Sequence, residues 1–409
     1  MKEPKIRFKG FQGEWEETSL GKLSTNYKYG INAAAIPYDG TNKYLRITDI
    51  DENTRMFSQE DLTSPGTDLS CCNEYLLEEG DITIARTGAS VGKSYIYHLS
   101  DGKVYFAGFL IRTRLNENVD KDYVFYSTLT DKYAKYIRLV SQRSGQPGVN
   151  VEELKGYTFN IPCDKAEQCN IASYFQHLDS LIQSNTKKIE SLKQVKAASL
   201  QSMFPQEGET TPRVRFKGFE GEWEKVKLGD ICEKVVRKAK PDTKAPVMMI
   251  SAANGFVNQS EKYASDNAGK SLDNYTLILK GEICYNHGYS KIRNFGSCFC
   301  LQLLEARVPF VYHSFKPYND DSVYLAIYLN SGIIDGELKK RVSSTARMDG
   351  LLNISYDSYM TTLIKIPSIA EQRAIASYFT SLDRQINFHT QRLEKLKQIK
   401  VACLDKMFV

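Results

Sequence analysis

The chain has 409 residues, of which 42% are hydrophobic and 25% charged, and carries a formal net charge of +5. That is the composition of a folded globular protein with room for about two to four domains, which excludes a disordered polyelectrolyte. Apolar runs stay below the roughly 18 residues a membrane span needs, and Met1-Lys-Glu-Pro leads straight into a motif, so neither a span nor a signal peptide is expected. The nine cysteines, an odd number, read as reduced thiols of a cytoplasmic protein.

Along the chain, the first motif is Lys5-Ile-Arg-Phe-Lys-Gly-Phe-Gln-Gly-Glu-Trp15, and it returns as Arg213-Val-Arg-Phe-Lys-Gly-Phe-Glu-Gly-Glu-Trp223. Its glycines (Gly10, Gly13, Gly218, Gly221) suggest tight turns. Its aromatic residues (Phe8, Phe11 and Trp15; Phe216, Phe219 and Trp223) are expected to pack a domain onto a helix pair. The next stretch, about 24–160, shares little with its counterpart at about 232–364, so a repeated frame carries two different inserts. In the first insert, residues 44–50, 80–86 and 104–112 read as strands, and 122–138 as one helical segment.

Thr87-Gly-Ala-Ser-Val-Gly-Lys-Ser94 nearly matches a phosphate-binding loop. Thr87 stands where the first Gly is required, and Ser94-Tyr-Ile-Tyr-His-Leu continues as a strand, whereas such a loop must open a helix. A Gly-rich hairpin tip bearing Arg86, Thr87, Ser90 and Lys93 is the better description. Basic residues cluster at 132–143, 234–244 and 339–347, two of these clusters running into Ser/Gln/Gly-rich turns, which favours a polyanionic partner.

After Ile161-Pro162, Ile171, Phe175, Leu178, Ile182, Ile189 and Leu192 recur at alternating steps of three and four, with Asn185 in the seam. The stripe returns after Ile366-Pro367 at Ile375, Phe379, Leu382, Ile386, Leu393 and Leu396, with His389 in the place of Asn185. Both read as coiled-coil helices, and each polar seam residue as a register device. Helix one delivers the chain to the second insert and helix two must return, so the pair is expected to be antiparallel. Residues 407–408 should then lie near 7–8, as 203–204 near 215–216, about a pseudo-twofold axis. The second insert repeats the first's character, with a strand at 247–251 and one helical segment at 321–341. Cys284, His287, Cys298 and Cys300 have zinc-ligand types, but Cys298 and Cys300 alternate within a strand and no Cys-x2-Cys knuckle occurs, so buried cysteines are the better reading.

The fold class is therefore α+β: two similar domains with substantial β content, separated by a long antiparallel two-helix coiled coil, as a pseudo-twofold internal repeat. The expected limits are 1–165 for the first domain, 166–205 for the first spacer helix, 206–212 for a linker, 213–369 for the second domain and 370–409 for the second helix. No dinucleotide loop, methyltransferase loop, nuclease cluster or triad-like histidine stands out, and no catalytic residue, metal ligand or cofactor of this chain is assigned.

The duplicated Arg-Phe-Lys-Gly-Phe-x-Gly-Glu-Trp, the Gly-Asp-Ile-x-Ile-Ala-Arg-Thr-Gly hairpin and the Ile-Pro…Glu-Gln…Ile-Ala-x-Phe…Leu-Asp helix starts together resemble the specificity subunit of type I restriction-modification systems, over essentially the whole chain. The resemblance implies two target-recognition domains, each reading one half of a bipartite double-stranded DNA site. It implies that the helices set the spacer and dock two modification methyltransferase subunits, with restriction translocase/endonuclease subunits outside. S-adenosylmethionine, ATP and magnesium are then expected only in those partners. The second hairpin departs from the pattern, reading Gly281-Glu-Ile-Cys-Tyr-Asn-His-Gly-Tyr-Ser290.

Base edges are told apart by donors and acceptors on exposed tips. The candidates are Arg86, Thr87, Ser90, Lys93, Gln142, Arg143, Ser144 and Gln146 in the first domain. In the second they are Asn286, His287, Tyr289, Ser290, Lys291, Arg293, Ser344, Thr345 and Arg347. Two other readings stay open: a non-DNA adaptor pairing two protein ligands through its coiled coil, and an enzyme with a cryptic site.

Overall fold

The computed structural model describes residues 3–240, 243–259, 274–342, 352 and 354–409. The chain forms two compact units, Met1–Lys188 with His389–Val409, and Ile189–Phe388. Each unit therefore takes in a stretch of both long helices, Lys165–Ser202 and Ile369–Met407.

In the first unit, Glu16–Ser19 pairs antiparallel with Thr158–Ile161, so the insert enters and leaves through one ladder. Between them lies a four-stranded antiparallel sheet whose neighbours run Ser24–Tyr29, Leu110–Leu115, Ile82–Ala85 and Ser94–Ile96. Its central strand, Ile82–Ala85, is buried on both faces. Ile82 and Ile84 face a core built with Tyr123, Tyr133 and Phe175, while Ala85 faces a second core with Tyr95, Phe106 and Leu110. Two cores on one strand explain why all four of its residues, Thr83 included, are buried rather than alternately buried and exposed.

Three sequence expectations are corrected by the structure. Residues 44–50 are not one strand: Lys43–Leu45 pairs in parallel with Val104–Phe106, and Ile47–Asp49 forms a 3-10 turn. The Asp49 carboxylate accepts from the Arg46 backbone N–H and guanidinium at 2.7–2.9 Å, which closes the turn against the β-propensity of the isoleucines. Residues 104–112 break at Ala107, where Leu110 N–H closes a turn and Gly108 N–H turns aside to Ile31 O. The 122–138 segment is two helices, Lys121–Ser127 and Asp131–Val140, each with its own cap, Asp120 and Thr130.

The second unit repeats the plan. Glu224–Lys227 pairs with Leu363–Ile366, and a four-stranded sheet runs Cys232–Lys234, His313–Pro317, Ile283–Asn286, Ser297–Cys300. Its expected 321–341 helix is also divided, into Ser322–Asn330 and Asp335–Arg341, because Gly332 takes φ +89° between them.

The heptad stripe of the first helix is buried at Ile171, Phe175, Leu178, Ile182, Asn185, Ile189 and Leu192; in the second, Ile375, Phe379, Leu382 and Leu396 are buried while Ile386, His389 and Leu393 are half-buried. Within the first unit, Tyr174 meets Cys403, Asp179 meets Lys400 at 2.6 Å, and Asn185 meets His389 at 2.9 Å. Rising numbers on one helix meet falling numbers on the other, so the packing is antiparallel. In the second unit Lys196 meets Asp383 and Ser199 meets Tyr378 in the same sense.

The repeated frame motif works mainly through a residue that its aromatic pattern does not single out. Arg7 grips the almost fully buried Glu167 with two bonds of 2.7 and 2.8 Å, and also donates to Gly13 O and Gln12 O. Arg215 does the same to Glu371 at 2.7 Å twice, with Gly221 O and Glu220 O. The next helix residue, Gln168 or Gln372, accepts from the N–H of Asp120 or Asp321 and donates to the carbonyl of Pro162 or Pro367. Strand, insert and helix are thus clamped at one point in each unit. Four of the motif's aromatic residues pack as expected: Trp15 edge-on to Tyr123, Phe8 edge-on to Tyr174, Phe216 edge-on to Tyr378 and Trp223 edge-on to Phe204. The chain ends also meet as expected, with Ile6 N–H on Lys406 O in the first unit and Val214 N–H on Ser202 O in the second.

Candidate nucleic-acid interface

In the first unit the central hairpin extends past the sheet as the 86–93 tip, which runs on into the strand Ser94–Ile96 and not into a helix. No phosphate loop of the nucleotide-hydrolase kind is formed, since its glycines lead into a strand and do not open a helix. The tip is joined to a loop distant in sequence. Thr87 bridges to Gly148, Gly88 N–H donates to Pro147 O at 3.0 Å, and Val149 N–H donates to Arg86 O at 2.8 Å. Residues 142–146 between these anchors are all exposed. Arg86, Thr87 and Ser90 therefore share one surface with Gln142, Arg143, Ser144 and Gln146. The Gln146 amide lies against Gly88, where an added Cβ would come within 2.9 Å of it. Arg86 stacks its guanidinium over the Tyr29 ring at 4.9 Å, which orients a cation without neutralising it. Arg143 is held by Glu153 and by the carbonyls of Val140 and Gln142.

Lys93 is a correction. It is only 6% exposed, its ammonium engaged by Ile50 O, Ile47 O and Glu52 rather than extended from the tip. The backbone closure of a tight hairpin fixed the side-chain direction, which the Gly-rich pattern alone did not reveal. Beneath the tip lies a cleft of about 850 Å³ whose walls include Arg55, Ser90, Arg138 and Lys397. Tyr133 also lines it, and burial pushes that phenol far above its ordinary range, leaving a neutral hydroxyl. Arg55 is not among the sequence candidates; the Asp51-Glu-Asn-Thr run before it is a turn-forming composition that carries it to the cleft.

In the second unit Tyr289 and Lys291 are exposed and Ser290 half-buried. Three other candidates are directed into the fold. Asn286 donates to Ile250 O, and His287 places its two ring nitrogens on Leu352 O and Val311 O. Arg293 pairs with Asp335 at 2.9 Å. Burial decides His287, which is 5% exposed and must find a protein partner, whereas Asn286 and Arg293 are half-buried and held by those bonds. Ser344, Thr345 and Arg347 lie outside the described residues. The anchor recurs nevertheless, as Leu352 N–H donates to His287 O at 2.8 Å, matching Val149 on Arg86.

Cys284 pairs across the sheet with Phe299, which puts it on the opposite face from Cys298 and Cys300. Burial pushes its thiol up to about 12, and it bonds Ser314 instead. Among the described residues no group of three His, Cys, Asp or Glu could hold a metal. Nor is any described helix long and apolar enough to cross a membrane.

Two copies of one α+β frame, each offering a polar hairpin surface beside a long helix, define a duplicated recognition protein. The model of the type I restriction modification DNA specificity domain matches residues 13–194 and again 220–398, and the chain belongs to that family. It is the DNA-recognition subunit of a type I restriction-modification complex and not the catalytic one, so the adaptor and cryptic-enzyme readings fall away. Among curated proteins, the type I restriction enzyme MjaVIII specificity subunit of Methanocaldococcus jannaschii is 23% identical over 359 residues, covering 81% of this chain and 79% of that one. Among solved structures, the type I restriction-modification system S subunit from M. genitalium superposes with a TM-score of 0.64 at 15% identity, over 100% of this chain and 99% of that one, a likeness of fold.

Proposed function

We propose that each unit reads one half of a bipartite double-stranded DNA site through its hairpin tip and the loop anchored to it. The observation that carries this reading is the Thr87–Gly148 bridge, which gathers donors from two distant segments onto one exposed surface. Arg86, Gln142, Ser144 and Gln146 are the base-reading candidates of the first unit, Tyr289, Ser290 and Lys291 those of the second. Such side chains match the donor and acceptor patterns of major-groove edges. Exposed Lys135 and Arg138, on the helix beside the tip, suit phosphates, which position without specifying. The long helices set the gap between half-sites and dock two modification methyltransferase subunits, with restriction translocase/endonuclease subunits joining outside. S-adenosylmethionine, ATP and magnesium belong to those partners, and the complex works in the cytoplasm.

The test exchanges residues 24–160 for the matching segment of another such subunit. Sequencing of methylated host DNA should then show a new first half-site beside an unchanged second one. A change in both halves would refute independent reading.

A further inference from the structure

We propose that Lys93 is a positioning residue for sequence reading: it locks the 51–55 turn onto the recognition hairpin and so makes Arg55 part of the surface that reads the first half-site. This rests on the reading of that surface as DNA-binding.

A lysine in a Gly-rich tip ordinarily extends into water. Here the ammonium has three donors and three acceptors facing it: Ile50 O at 2.9 Å, Ile47 O at 3.3 Å and Glu52 Oε1 at 2.5 Å. Its backbone meanwhile closes the hairpin, donating to Ser90 O at 2.9 Å and accepting from Ala85 N–H at 2.8 Å. One residue therefore has its main chain in the hairpin and its head group in the turn, so neither can shift without the other.

The turn is itself tightly built. Asp51 Oδ1 accepts from Asn53 N–H, Thr54 N–H and the Thr54 hydroxyl at 2.7–2.9 Å, and Arg55 N–H closes onto Asp51 O. Arg55 is held at φ +60°, a left-handed conformation that a residue with a Cβ adopts only when its surroundings impose it. Its guanidinium reaches Glu52 only at 4.0 Å, the limit of an ion pair, and lines the same cleft as Ser90 and Arg138. The left-handed backbone thus sets a weakly paired cation in the cleft beside the hairpin, where an anionic ligand would meet it.

The second unit supplies an independent observation. When the parallel pairing of Tyr44 with Tyr105 is laid over that of Val247 with Arg307, Ile47 falls on Ile250. The Ile250 carbonyl is tied to the second hairpin too, by Asn286 Nδ2 at 3.1 Å. The same carbonyl position is bound by a different side chain from a different point of the hairpin, so the tie is retained where its chemistry is not.

The experiment sequences methylated DNA from hosts carrying the full chain with its methyltransferase, as wild type, Lys93→Met and Arg55→Ala, alongside binding of the purified complexes to cognate and singly substituted duplexes. Both variants should lose about tenfold in discrimination at one or more first-half bases, the scale of one base contact, while the second half stays strict. Arg55→Ala keeps the proposal testable if Lys93→Met does not fold, since that side chain is outside the core. An unchanged first half-site in Arg55→Ala, or equal relaxation of both halves, overturns the proposal. Failure of the underlying reading looks different: the wild-type motif would not be bipartite, or the 24–160 exchange would alter both halves.

Discussion

Breaking the Arg7–Glu167 clamp tests whether the repeated motif works through its arginine. Glu167 is 1% exposed and Arg7 17%, and two charge-assisted bonds of 2.7 and 2.8 Å join them. Arg7→Ala leaves a buried carboxylate without its counter-ion, which costs about 3 kcal/mol or more. Glu167→Gln keeps the shape and leaves Arg7 its two carbonyl partners, so it should cost about 1–2 kcal/mol. In the double variant nothing charged stays buried, and a coupling of about 2 kcal/mol is expected. The chain has two tryptophans, Trp15 in the first unit and Trp223 in the second, both buried. Urea unfolding followed by tryptophan emission, in Trp223→Phe and Trp15→Phe backgrounds, reads each unit separately. Arg7→Ala should move the Trp15 transition, and Arg215→Ala the Trp223 transition by a similar amount. A coupling below about 0.5 kcal/mol would refute the argument, because contacting charges that do not couple are not a clamp.

Phe204→Ala removes a fully buried ring that touches Trp223, Tyr324, Tyr328 and Phe379; unfolding of the second unit should lose about 3–5 kcal/mol, and a loss under about 1 kcal/mol would contradict the packing. Burial lowers the His313 pKa to about 4, so between its ordinary value near 6.5 and pH 4 the unfolded chain takes up the proton first. Stability of the second unit should therefore fall with pH across that window, and His313→Gln should flatten the slope seen in urea titrations at stepped pH. Inserting four residues after Leu192 adds about 6 Å of helix while nearly keeping its face. Methylated-site sequencing should then show both half-sequences retained around a longer gap, and an unchanged gap in an active mutant would rule out the helices as the ruler.

The long helices were legible because a three-four period survives any packing detail, and so did the pairing sense, which connectivity alone demands. Legible too was the hairpin after Ala85, since Ser94-Tyr-Ile-Tyr alternates like a strand. What the sequence hid were partners far apart in the chain. Arg7 looked like one more basic residue in an exposed motif because nothing local points to Glu167. Lys93 looked like a tip residue because side-chain direction depends on how many residues close the hairpin. The 122–138 and 321–341 segments read as single helices because Thr130 and Gly332 interrupt them without breaking the apolar pattern. His287 was read outward for the same reason as Lys93: its acceptors, Val311 and Leu352, come from other segments of the chain.

The antiparallel ladder of Glu16–Ser19 with Thr158–Ile161, and of Glu224–Lys227 with Leu363–Ile366, has a consequence for inheritance. Directly opposed residues in such a ladder lie about 5 Å apart, so each insert begins and ends at a neck no wider than one strand pair. A gene segment swapped between two such necks brings a complete β-rich body and leaves the adjoining helix with its register, its buried Glu and its Gln unchanged. Crossovers placed inside the insert instead divide the four-stranded sheet, whose order interleaves early and late strands. Recombination between lineages should therefore leave its breakpoints in the frame sequences, and new specificities should arise by whole-body replacement faster than by point change.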